Sequence, residues 1–148
     1  MNKLSDIGLI GLAVMGENLV LNMESKGFRV TVFNRTTQKV DDFLAGRAKN
    51  KNIAGAHSIE DLVASLARPR KIMLMIKAGS AVDEMIETLI PHLDKGDIII
   101  DGGSGQSLIE LKKELLPINN FSTYKSIQRF SSFAMVLFQI TTLAFSSF

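Results

Sequence analysis

Asp6-Ile-Gly-Leu-Ile-Gly-Leu-Ala-Val-Met-Gly16 is the stretch that decides the fold. Its first half, Asp6 to Gly11, carries Ile7, Leu9 and Ile10 and is too apolar for a strand with one wet face, so it reads as a short strand buried on both sides. Its second half, Gly11-Leu12-Ala13-Val14-Met15-Gly16, fits a G-x-G-x-x-G turn with Ala in the middle glycine position. Gly11 permits the tight turn, a small residue at 13 lets backbone approach a pyrophosphate, and Gly16 lets the following helix pack close to the strand. A helix opening at such a turn offers phosphates its free N–H groups and a partial positive charge. A glycine-rich turn can also serve packing alone, and what favours the ligand is the context downstream.

Downstream, strand and helix patterns alternate. Met15, Leu19, Val20 and Met23 make an apolar helical face, and Gly27 after Lys26 is a stop. Arg29 to Asn34, with Val30, Val32 and Phe33, predicts the second strand, and Thr36 or Thr37 caps a helix with Val40, Phe43 and Leu44 inward. A weak strand around Ile53 leads to a capping box, Ser58 with Asp61, ahead of Leu62, Val63 and Leu66, and Arg68-Pro69 closes that helix. The apolar run from Ile72 to Ile76 predicts a central parallel strand. A second box, Ser80 with Asp83, opens a helix with Val82, Met85, Ile86 and Leu89 inward and Pro91 in its last turn. Ile98 to Ile100 is the fifth strand. Five strands alternating with helices predict an α/β domain, a doubly wound parallel sheet of Rossmann type.

Composition agrees and narrows the classes. The chain has 148 residues, 46% hydrophobic and 22% charged, which supports a real core and excludes a disordered or collagen-like chain. It has no cysteine, so disulfide scaffolds and Cys-based zinc sites are excluded. The net charge is +2, too small to argue for nucleic acid, and both surplus cations, Lys125 and Arg129, follow the last acid, Glu114. The reading places a globular part at residues 1–117 and a divergent Ser- and Phe-rich hydrophobic tail at 118–148. The start, with one Lys and then an acid, is unlike a secretion signal and points to the cytosol.

In a doubly wound sheet ligands bind at the carboxyl ends of the strands. An acid at the end of strand two would accept from a ribose 2′-hydroxyl and repel a 2′-phosphate. Asn34-Arg35-Thr36 stands there instead. Arg35 offers a planar fork to a phosphate, and Asn34 and Thr36 add neutral hydrogen bonds, so NADP is preferred over NAD. Lys77-Ala78-Gly79 and Asp101-Gly102-Gly103 bring small residues to the same edge. His57 and His92 read as surface histidines, no metal pair is expected, and no G-x-S-x-G, H-E-x-x-H or Walker pattern occurs.

Together with Lys39 to Leu44, Gly55 to Ser58 and Gly96 to Gly103, these stretches closely resemble the coenzyme domain of the decarboxylating 6-phosphogluconate dehydrogenases, from Asp6 through Gly103. The resemblance to the β-hydroxyacid dehydrogenases is weaker. The resemblance implies NADP-dependent oxidation of 6-phosphogluconate and its decarboxylation to ribulose 5-phosphate, a step of the pentose phosphate pathway. It implies NADP contacts at Gly11, Leu12, Ala13, Val14, Met15 and Gly16, at Asn34, Arg35 and Thr36, and at Ile76, Lys77 and Ala78. Where the family has an Asn touching coenzyme and substrate, this chain has Ser104, whose hydroxyl is shorter and lacks the amide's paired donor and acceptor.

The family's catalytic Lys and Glu and its helical C-terminal domain fall beyond the resemblance. No catalytic residue is carried over, and Ser107 to Leu116 reads as a capped surface helix stopped by Pro117. The expectation is a truncated coenzyme domain, inactive alone, that meets 6-phosphogluconate only if the missing domain is supplied and that lacks most of the family's homodimer interface. Nucleic-acid and membrane partners are not expected. Phe130 to Phe148 is uncharged, and three accounts stand open for it: a non-native end to a misread coding sequence, a weak membrane anchor, or a cover for surface the second domain would occupy. The alternatives are a non-catalytic module that binds NADP or a partner, or a fragment of a related β-hydroxyacid dehydrogenase.

Overall fold

The structure is a computed structural model that describes residues 3–102 and the backbone of 128–129. Five strands, β1 (Ile7–Ile10), β2 (Val30–Phe33), β3 (Ile53–Ala56), β4 (Lys71–Leu74) and β5 (Ile98–Asp101), alternate with four helices, α1 (Val14–Ser25), α2 (Gln38–Ala45), α3 (Ile59–Ala64) and α4 (Ser80–Leu89). A 3-10 turn, Ile90–His92, extends α4 and contains Pro91. A short strand β6, Gln128–Arg129, completes the order β3-β2-β1-β4-β5-β6, every pair parallel. The sheet thus takes two residues from the segment expected as a tail. Ser107 to Leu116 and the apolar run from Phe130 lie outside the described residues.

Alternation along the strands sorts side chains into two cores. Ile7 and Leu9 of β1, Val30 and Val32 of β2 and Met73 of β4 face Leu19, Val20 and Met23 of α1 and Val40 and Phe43 of α2. Ile10, Phe33, Ile72 and Leu74 face Leu62 and Val63 of α3 and Val82, Ile86 and Leu89 of α4. Helices therefore cover both faces, which is why β1 and β2 are buried along their whole length.

Three local expectations are corrected. Met15 is 58% exposed and off the buried face of α1, a face that starts at Gly16, packed against the Gly11 carbonyl, and continues through Leu19, Val20 and Met23. Ser80 caps nothing: it is the first residue of α4, and Gly79 is the cap at φ 112°. Ser58 does cap α3, accepting from the Asp61 N–H at 3.0 Å, but that helix ends at Ala64, before Arg68-Pro69.

The edge of the sheet opposite the ligand loops is fastened by a charged cluster. Arg70, just before β4, donates to Asp94 at 2.9 Å and Asp97 at 2.8 Å. Asp97 also accepts from the backbone N–H groups of Arg70 and Asp94. Burial alone pushes the Asp97 carboxyl up. The two backbone donors and the Arg70 guanidinium outweigh it and hold the carboxyl below its ordinary value. A depressed carboxylate stabilises the fold above its unfolded-state pKa and loses that contribution as pH falls through the folded one, below about pH 4. Arg70→Met leaves Asp97, whose side chain is 3% exposed, without its countercharge and is expected to cost about 3 kcal/mol. Denaturant melts at pH 7 and pH 3 check both points. The variant should lose more at pH 7 than at pH 3, and equal losses would contradict the pairing.

Candidate functional site

The chain leaves β1, runs outward through β2 and β3, and returns to the other side of β1 as β4. The loops after β1, β2 and β4 therefore meet where the winding reverses, the place where open α/β sheets bind ligands. Gly11, at φ 109°, makes the first turn, and its N–H donates to the Phe33 carbonyl at 3.0 Å. A Cβ at Gly11 would run into the Met75 carbonyl, and one at Gly16 into the Gly11 carbonyl. Both glycines are thus dictated by backbone approach.

Ala13, extended and without a side-chain cap, precedes α1, so no side chain occupies the first N–H groups of that helix. Val14 is 72% exposed, two apolar side chains in succession with Met15 that face outward beside a helix N-terminus. Glu17, the acid of the first turn, would oppose an anion there, but its carboxylate is held by Arg47 at 2.7 Å.

Asn34 ties the first two loops together. Its Oδ1 accepts from the Leu12 N–H at 3.0 Å and its Nδ2 donates to the Thr36 carbonyl at 3.1 Å. The side chain expected to meet a ligand is largely spent on bracing the turn. Leu12 is buried and presents backbone alone, whereas Arg35, Thr36, Lys77 and Ala78 are exposed. The Arg35 guanidinium reaches across to Glu84 of α4 at 3.7 Å.

A cleft of about 150 Å³ opens between these loops and α4. Gly11, Asn34, Arg35 and Ile76 line it, as expected from the sequence, along with Ile10. The opposite wall is Ala81, Glu84, Met85 and Thr88, which the sequence reading missed as site residues. Ala81, Glu84 and Thr88, three and four residues apart, form a second helical stripe that a reading of the core stripe alone passes over, and Met85, expected inward, borders both cleft and core. Ser104 lies outside the described residues. Among the described residues no group of His, Asp and Glu could hold a metal ion, and no helix is long and apolar enough to cross a membrane.

Known proteins agree with this geometry. A family described as the NAD binding domain of 6-phosphogluconate dehydrogenase matches residues 6–115, twelve residues beyond the point where the motifs give out at Gly103. The chain is 67% identical over 100 residues to a decarboxylating 6-phosphogluconate dehydrogenase of Cunninghamella elegans, covering 68% of this chain and 21% of that protein. It is 70% identical over 100 residues to the Treponema pallidum protein of the same name, covering 68% and 20%. The solved Plasmodium falciparum 6-phosphogluconate dehydrogenase, studied with its cofactor NADP+ and its substrate 6-phosphogluconate, superposes with a TM-score of 0.65 at 47% identity, covering 73% of this chain and 23% of that one. The chain spans about a fifth of the length of these relatives. With its parallel sheet, its glycine turn and this match, the chain belongs to the 6-phosphogluconate dehydrogenase family, as its NAD-binding domain.

Proposed function

We propose that the chain binds NADP across the cleft and forms the coenzyme-holding part of a decarboxylating 6-phosphogluconate dehydrogenase. The observation that carries the choice of NADP is at the end of β2, where no acid stands and the Arg35 guanidinium is exposed. A carboxylate there would repel a 2′-phosphate, whereas Arg35 attracts one. The backbone from Gly11 to Gly16 fits a pyrophosphate, since the spaces in which side chains would clash are left to backbone and the helix N–H groups are uncapped. Asn34 holds the turn in shape, Ile76 lines the cleft beside it, and Lys77 and Ala78 follow in the loop after β4.

Bound NADP supplies a nicotinamide that accepts hydride. The described residues are assigned binding and orientation and no proton transfer, so dehydrogenation and decarboxylation of 6-phosphogluconate require groups beyond them. Ser104 replaces an amide by a hydroxyl at a position that, in this reading, touches coenzyme and substrate. The pure chain is expected to bind NADP saturably, more tightly than NAD, and to form no NADPH with 6-phosphogluconate. No saturable binding of either dinucleotide would overturn the binding claim, and steady NADPH formation would overturn the division of labour.

A further inference from the structure

Glu84 is the one acid among the nine residues that line the cleft, and it faces the one cation there. Its carboxylate stands 3.7 Å from the Arg35 guanidinium, too far for a hydrogen bond but close enough for attraction. Both side chains are exposed, at 85% for Arg35 and 61% for Glu84, so the pair is weak and opens readily. Its two halves come from opposite walls, Arg35 from the loop after β2 and Glu84 from the second turn of α4. Thr88 does not occupy the Glu84 carboxylate, since its hydroxyl donates to the Glu84 backbone carbonyl at 2.8 Å.

We propose that Glu84 is a specificity-determining residue that restrains the preference for NADP over NAD. The inference rests on the NADP reading of the cleft. The acid missing from the end of β2 is supplied from the facing helix. A 2′-phosphate seated on Arg35 must displace the Glu84 carboxylate and then lie within several ångströms of it, two negative groups sharing one cation. A ribose 2′-hydroxyl carries no such charge and can donate to the same carboxylate. Glu84 therefore weakens NADP and leaves NAD unchanged or slightly favoured.

The test is titration of the full chain and its Glu84→Gln variant with NADP and with NAD, at low and high salt. The variant is expected to bind NADP about 3- to 10-fold more tightly at low salt, with NAD within about 2-fold and the NADP gain shrinking as salt rises. Unchanged NADP affinity in the variant, or an equal gain for both dinucleotides, would overturn the role of Glu84 while leaving NADP binding intact. Failure of the unchanged chain to bind either dinucleotide would overturn the underlying reading and this one with it.

Discussion

Gly11→Val is expected to abolish dinucleotide binding, a loss of more than about 100-fold, and to lower the melting temperature by about 10 °C or more. At φ 109° a branched residue is strained wherever it stands. Here its Cβ would also meet the Met75 carbonyl carbon at 2.8 Å and the Ile76 Cγ2 at 2.9 Å. The Met75 backbone cannot retreat freely, because its N–H donates to the Ile10 carbonyl at 2.7 Å and holds β4 against β1. Strain and clash together come to about 3 kcal/mol or more. Gly79→Ala is the fitting comparison, since Gly79 has a similar φ of 112° but nothing within 4 Å of an added Cβ. It should cost about 1–2 kcal/mol, from backbone strain without a clash, and spare binding. Thermal melts and NADP titration of the two variants check this, and equal effects would contradict the role given to the Gly11 turn.

Arg35→Glu is expected to weaken NADP by about 100-fold or more, and to leave NAD within a few-fold or improved. The substitution removes the cation at the end of β2 and places a second carboxylate opposite Glu84, so that a 2′-phosphate meets two negative groups and no positive one. Stability should change little, because the Arg35 side chain is 85% exposed and its ion pair is weak. Equilibrium dialysis with each dinucleotide separates the outcomes. Undiminished NADP binding would show that the phosphate is held elsewhere.

The fold was legible because its signals are local and redundant. The apolar runs at Ile7 to Ile10 and Ile72 to Leu74, each followed by a glycine-containing turn and a helical stripe, admit few arrangements besides a parallel sheet wrapped on both sides. The near wall of the cleft was legible for the same reason, since Gly11, Asn34, Arg35 and Ile76 all follow strands. The far wall was not. Ala81, Glu84 and Thr88 come together with Arg35 only through the winding that sets α4 against the end of β2, a contact about fifty residues apart in sequence. Capping at α4 was misread because Ser80 with Asp83 fits the box pattern, yet Gly79 at positive φ turns the chain one residue earlier. The bracing of the turn by Asn34 could not be foreseen either, because its Leu12 partner is fixed by the pairing of β1 with β2.

The central claim, that NADP lies across the carboxyl ends of β1, β2 and β4, is tested most directly by an amide-resolved NMR titration of the chain. Saturating NADP should shift the amides of Leu12 to Gly16, Asn34 to Thr36 and Ile76 to Ala78, with Ala81, Glu84 and Met85 following, while Arg70, Asp94 and Asp97 at the opposite edge stay in place. Saturable binding whose largest shifts fall around Arg70 and Asp97, or that spares Leu12 to Gly16, would contradict it.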